Sequence, residues 1–213
     1  MTTDKPTGTD SLLGAAGTDS LLGAAGTDSL LGAAGTDNPA GTKGAADGGS
    51  RDTRLAEAVA LREAGRREEA RALLVRLAAG HPGDAEIAYQ TAWAHDVLGL
   101  EADAVPYYEQ ALAAGPDALG AEDRGGAFLG LGSTYRILGR YEEAAATLRR
   151  GTEEFPEDGA LRAFLAMALF HTGEHHDSVR MLLRLLARSS EDPSVRRYRE
   201  AIEYYAEDLH RVE

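Results

Sequence analysis

The chain of 213 residues contains no cysteine, so disulfides, thiolate metal sites and cysteine nucleophiles are all excluded, and a reducing compartment fits best. Basic residues are in deficit: 22 Lys and Arg stand against 35 Asp and Glu, for a formal charge of −13. A broad face for binding a polyanion has little to draw on, and nucleic acid is not expected as a partner. No apolar run approaches the ~18 residues of a membrane span, and the opening MTTDKPTGTD lacks a basic stretch followed by an apolar core. No membrane association is expected, and the product is read as cytoplasmic and unprocessed. Aromatic residues make up 6% of the chain and there is one Trp. What remains suffices for one helical domain or a short repeat array, and two large domains are not expected.

Two unlike segments follow one another. Residues 1–50 carry the unit GTDSLLGAA three times in tandem, at Gly8 to Ala16, Gly17 to Ala25 and Gly26 to Ala34, and then decay into GTDNPAGTK. This segment has no aromatic residue, and each unit offers one Leu pair amid Gly, Ala, Thr and Asp. So little burial does not offset ~1 to 2 kcal/mol of backbone entropy per residue, and a disordered low-complexity tail is expected. Three identical Leu-Leu dipeptides could serve as a multivalent docking motif. The glycine-rich composition favours a repeat-expanded tail with no specific role.

From Arg51 the texture changes to Ala, Leu, Glu and Arg at helical spacing, and three columns reveal a period. Gly65, Gly99, Gly139 and Gly173 are separated by 34, 40 and 34 residues; Ala70, Ala104, Ala144 and Ser178 keep the same intervals, as do Pro82, Pro116, Pro156 and Ser190. The units run over 51–84, 85–118, 125–158 and 159–192, with LGAEDR at 119–124 left as an insertion. Each unit predicts a helical hairpin. The glycine tolerates the left-handed conformation that reverses the chain, and the proline ends the second helix. In the third unit Phe128, Leu131 and Tyr135 form an apolar stripe, Gly132 and Ala144 keep the two helices close, and Leu148 closes the pair. One such hairpin cannot bury its apolar face alone, so neighbours must stack.

The bulky residue, the Leu beside a small residue, the aromatic, the small residue on the second helix and the closing Pro together resemble the tetratricopeptide repeat, with its 34-residue period. The likeness covers 51–192. Residues from about 84 to 209, with LGSTYRILGRYEEA, LRAFLAMALF and YREAIEYYAEDL, further resemble the bacterial tetratricopeptide group 5 family, a likeness that implies a fold rather than an activity. Departures fall at the ends: Arg54 and Glu57 replace apolar residues in the first unit, and Arg162, Leu185 and Ser190 break the pattern in the fourth. After Pro193, a stripe of Val195, Tyr198, Ile202, Tyr205 and Leu209 predicts one capping helix over 193–212, its apolar face on the array and its charged face in solvent. A partner-binding helix is the alternative reading of that stripe.

The resemblance implies that first helices line a concave groove. Carried over by register, the groove residues are Leu55, Val59 and Arg62; Tyr89, Trp93 and Asp96; Leu129, Ser133 and Arg136; and Ala163, Met167 and Phe170. Trp93 and Tyr89 are the expected anchors, with Arg62 and Arg136 orienting acidic groups of a bound peptide. The bland alternative is that Trp93 and Phe170 only pack against neighbouring helices. The carboxylate clamp of chaperone-binding members is missing, because Leu55, Val59, Gln90, Gly126 and Gly130 occupy the matching places.

Other constellations yield no chemistry. His171, His175, His176 and Asp177 span a hairpin turn with no zinc-helix spacing, and no metal or other cofactor is expected. His95 is in register with Tyr135 and Leu169 and reads as a packing residue with a satisfied ring nitrogen. The glycines of GAFLGLGSTY suit close helix packing better than a phosphate loop, and the runs AEDR, REEAR and YEEAA read as solvated faces. The sequence thus predicts an all-α tetratricopeptide-type solenoid of four hairpins plus a capping helix. It would act as a non-catalytic protein-interaction module, the alternative being a self-associating structural scaffold, a homodimer without a groove ligand.

Overall fold

By its contacts the chain divides into Met1–Asp47 and Gly48–Glu213. The computed structural model describes residues 49–209, so the expected tail and the last residues of the expected cap lie outside the described residues.

Ten α-helices and no strand occur among the described residues. Four hairpins come first: α1 (Arg51–Glu63) with α2 (Arg67–Gly80), α3 (Ala85–Asp96) with α4 (Glu101–Ala113), α5 (Ala121–Ile137) with α6 (Tyr141–Glu154), and α7 (Gly159–His171) with α8 (His175–Ser189). Each first helix packs on its own second helix, and each second helix on the next first helix. The first helices are also neighbours along the row, α1 to α3, α3 to α5 and α5 to α7.

The glycine column makes the four reversals, with φ of 76° at Gly65, 70° at Gly99, 74° at Gly139 and 86° at Gly173. In each turn the amide just past the glycine bonds back to the carbonyl five residues earlier, as Arg140 does to Tyr135 O at 2.8 Å and Glu174 to Leu169 O at 2.9 Å. Orphan carbonyls of the first helix are satisfied in this way. Asp84 and Asp158 cap α3 and α7 by accepting from Ile87 N at 3.0 Å and Ala160 N at 2.8 Å. Arg51 additionally grips Asp84 through two bonds of 2.9 and 2.7 Å, tying the start of α1 to the start of α3.

The small-residue column sits at the hairpin contacts: Ala70, Ala104 and Ala144 are fully buried and Ser178 nearly so. Around them the large side chains interdigitate. Tyr108, Phe128, Leu148 and Leu161 are 0 to 1% exposed. The glycines of α5 are seats for these groups, since a Cβ at Gly126 would strike the Tyr89 hydroxyl, one at Gly130 the Tyr108 ring, and one at Gly132 the Leu148 side chain.

Three sequence expectations need correction. The inserted residues do not merely interrupt the array: 121–124 add a turn to the front of α5 after a short 3-10 turn at Pro116–Ala118. That extra turn buries Arg124, 5% exposed, which the charge-rich AEDR run had suggested was solvated. Its guanidinium pairs with Glu154 of α6 and donates to Gly115 O at 2.9 Å. Finally, the expected single capping helix is broken at Tyr198 (φ −103°, ψ 15°) into α9 (Pro193–Arg197) and α10 (Arg199–Glu207). Only Ala206 of the pair is buried, while Tyr198 is 57% and Tyr205 46% exposed. The break rotates the expected stripe, so Ala206, rather than the tyrosines, packs inward.

Candidate functional site

The register that places the first helices side by side brings Arg62 of α1 onto Trp93 of α3. The guanidinium carbon lies 3.6 Å from the indole ring centre, and Arg62 Nη1 donates to Gln90 Oε1 at 2.5 Å. Burial disfavours the charged form of this guanidinium and lowers its pKa, and the π-face and the amide oxygen partly replace the lost water. Hairpins one and two are thereby joined through a stacked, hydrogen-bonded pair on the first-helix surface.

The remaining groove candidates divide by depth. Leu55 and Tyr89 are 5% and 7% exposed and belong to the core. Tyr89 lies 6.0 Å from Trp93 and 6.3 Å from Tyr108, with its hydroxyl over Gly126. It supports Trp93 from beneath and offers no face of its own. Leu129 is partly buried and packs on the same cluster. Val59, Ser133, Arg136 and Ala163 are partly exposed. Arg136 has its Nε buried without a hydrogen-bond partner. At the far end of the row Met167 is 38% and Phe170 58% exposed, although the rest of α7 is strongly apolar and its Leu161, Leu165 and Leu169 are buried.

Asp96 has a different role from the one its register suggested. Its carboxylate accepts from the Tyr108 hydroxyl of α4 at 3.1 Å and from Thr134 Oγ1 of α5 at 3.1 Å. One oxygen therefore ties α3 to α4 within hairpin two, and the other joins hairpin two to hairpin three. Burial pushes its pKa up to about 6, the two hydroxyl donors oppose that rise, and Glu101 adds to it. Asp123, at the start of α5, is also raised, by burial and by Glu86 and Glu122.

Three histidines, His95, His171 and His175, are occupied in packing. His95, 4% exposed, has Nδ1 2.7 Å from Thr91 O and stacks on Tyr107 at 5.4 Å. His171 stacks on Tyr141 with ring centres 4.3 Å apart, His175 lies 4.9 Å from Phe170, and Asp177 pairs with Arg180 at 2.6 Å. Among the described residues no three His, Asp or Glu side chains converge as a metal site would require. Likewise, among the described residues no helix is long and apolar enough to cross a membrane.

Sequence reasoning missed the Arg62–Trp93 stack, since a cross-hairpin contact between residues 31 positions apart leaves no local mark. Its signal was the presence of the sole Trp and an Arg at neighbouring positions of adjacent first helices.

Known structures share this architecture. YrrB, described as a TPR protein with an unusual peptide-binding site, is 19% identical with a TM-score of 0.59, over 76% of this chain and 80% of its own. MamA from Desulfovibrio magneticus is 18% identical with a TM-score of 0.60, over 76% and 89%. The pilF product of Pseudomonas aeruginosa is 19% identical with a TM-score of 0.54, over 74% and 69%. At such identities the likeness establishes the fold. No curated protein sequence matches the chain. Residues 85–209, more than half of the sequence, match the family described as Tetratrico peptide repeat. Together with four stacked hairpins reversed at a periodic glycine, this match shows that the chain belongs to the tetratrico peptide repeat family.

Proposed function

We propose that the protein is a non-catalytic interaction module whose first-helix surface holds a peptide or helix of a partner protein. The observation that carries this reading is the row of large side chains left accessible along successive first helices, from the Arg62–Trp93 stack to Met167 and Phe170. Partly desolvated aromatic and Arg side chains are the groups that most often dominate binding energy in interfaces. Trp93 is the anchor, held by Tyr89 below and Arg62 above; Arg136 orients an acidic group, and Met167 and Phe170 receive apolar side chains. The peptide-binding site of YrrB supports this use of the fold.

The test is selection of peptides on the full chain from a random display library, followed by affinity measurements on Met167→Ala, Phe170→Ala and Trp93→Ala variants. Loss of roughly tenfold or more at two of the three positions, the cost of ~1.4 kcal/mol each, is expected. Selected peptides that bind all three variants as tightly as the native chain would refute the reading.

A second reading, self-association, is favoured by one column. Leu74, Tyr108 and Leu148 are 0 to 1% exposed in the first three hairpins, but Leu182, the matching residue of α8, is 42% exposed. Val179 and Leu186 flank it at 41% and 44%. The nine residues of α10 meet α8 through Arg184–Glu207, Arg188–Glu203 and the Arg199 bond to Ala187 O at 2.8 Å, and leave Val179, Leu182 and Leu186 exposed. Sedimentation across a wide concentration range, with Val179→Glu as the control that abolishes pairing, tests this; a monomer throughout would dismiss it.

A further inference from the structure

Away from the first-helix surface, α6, the front of α7 and α8 enclose a cleft of about 240 Å³. Four of its eight lining residues are arginines: Arg162 from α7, and Arg180, Arg184 and Arg188 from α8. The last three are spaced four residues apart, which stacks them on one side of the helix at intervals of about 6 Å. Met181 and Leu185 also line it, and Thr152 and Asp177 complete the wall. In a chain of net charge −13 this is a local concentration of guanidinium groups, each paired with one carboxylate.

The carboxylates that balance these arginines are exposed. Glu157, 93% exposed, lies 3.6 Å from Arg162. Asp177 is 2.6 Å from Arg180 and 44% exposed, Glu203 is 3.4 Å from Arg188 and 37% exposed, and Glu207 pairs with Arg184 at 50% exposure. Exposed pairs of this kind are weak and readily exchanged. Arg184 and Arg188 have a structural task, since their partners lie on α10. Arg162 and Arg180 have none there. Each of the four guanidiniums already holds one carboxylate, so an incoming anion exchanges with these exposed pairs, and guanidinium forks match phosphate oxygens two at a time. The volume lies below the ~300 Å³ at which sites for drug-sized ligands begin, which selects a compact anion.

We propose that this cleft binds a compact, multiply charged phosphate anion of about pyrophosphate size, and that Glu203 and Glu207 of α10 compete with it for Arg188 and Arg184. Binding therefore loosens α10, and removal of the two competing carboxylates strengthens binding.

The experiment is calorimetric titration of the full chain with inorganic pyrophosphate, run beside sodium sulfate and beside potassium chloride at matched ionic strength. Saturable binding of one pyrophosphate per chain is expected, with Kd below ~1 mM and sulfate weaker. Arg162→Ala and Arg180→Ala each lower affinity about tenfold. Arg180→Lys also lowers it, since a single ammonium cannot replace the fork. Glu203→Gln/Glu207→Gln raises it several-fold. A phosphoserine peptide binding more tightly than pyrophosphate would keep the phosphate site and assign its source to a modified protein. Heat that follows ionic strength alone overturns the proposal, as do unchanged affinity in the two Arg→Ala variants with native circular dichroism, or weaker binding by the double Gln variant.

Discussion

Replacing Asp96 by Asn is expected to stabilise the protein at neutral pH and to leave its stability nearly unchanged in acid. The folded-state pKa of this carboxyl is pushed from 3.8 up to about 6, chiefly by burial. A carboxyl whose pKa is higher in the folded state resists ionisation there. The folded form is therefore most favoured below about pH 4, where the group is protonated in both states. The penalty builds as pH rises toward 6 and is complete above it. Two units correspond to about 3 kcal/mol, at ~1.36 kcal/mol per unit. Asn removes the charge and keeps the shape. Its carbonyl accepts from one of Tyr108 and Thr134, and its amide donates to the other hydroxyl, though neutral bonds are weaker than those to a carboxylate. The net gain at pH 7.5 is thus about 1 to 3 kcal/mol, or roughly 2 to 4 °C in Tm per kcal/mol for a domain of this size. Urea unfolding followed by circular dichroism at pH 4 and pH 7.5, native against Asp96→Asn, measures it. Comparison of the two proteins at each pH cancels the opposing trend from carboxylates such as Asp84, which Arg51 holds below its usual range and whose contribution is lost in acid. A gain of the same size at both pH values, or destabilisation at pH 7.5, would refute the assignment of a buried, reluctantly ionised carboxylate.

Three further outcomes follow from packing and pairing. Gly132→Ala places a methyl 2.7 and 2.8 Å from the Leu148 methyl carbons, and should cost about 1 to 3 kcal/mol by overpacking. Combined with Leu148→Ala, its cost should fall, a coupling that a double-mutant cycle with urea unfolding reads directly. Arg124→Ala takes the guanidinium from Glu154 and leaves Gly115 O only its longer bond of 3.4 Å from Ala118 N, and should lose about 2 to 3 kcal/mol, with faster amide exchange confined first to the front turn of α5. Arg62→Ala removes the cation from the face of the sole Trp. The change should move the Trp93 emission to longer wavelength as water reaches the ring, with a loss of ~1 kcal/mol; an unchanged spectrum would contradict the stack.

The periodic columns made the hairpins legible because their reasons are local. A glycine at a reversal is demanded by its own φ, and a fully buried Ala by the helix that crosses it. The departures have reasons that act at a distance. Arg124 reads as surface in the run AEDR because its partner, Glu154, lies 30 residues further on, and only the folded insertion brings them together. Tyr89 reads as a groove anchor because the resemblance assigns its register to the concave face, although Leu55 and Leu129 in that register also pack inward. It turns inward because Gly126, in the next hairpin, leaves room for its hydroxyl. Asp96 shares that lesson, since the hydroxyls that capture it come from α4 and α5. For the terminal stripe, periodicity described Tyr198, Tyr205 and Leu209 as one face, but a break at Tyr198 changes the phase of everything after it.

The four glycines inside α5 also govern the order in which the array assembles. Each weakens the isolated helix by ~0.8 to 1 kcal/mol relative to Ala, so this segment, alone in water, has little reason to coil. Its helicity is conferred by side chains already mounted on α3, α4 and α6, which fill the hollows that the missing methyls leave. The middle of the array therefore forms as a cooperative block rather than as interchangeable bricks, and excision of the third unit should collapse its neighbours instead of merely shortening the stack.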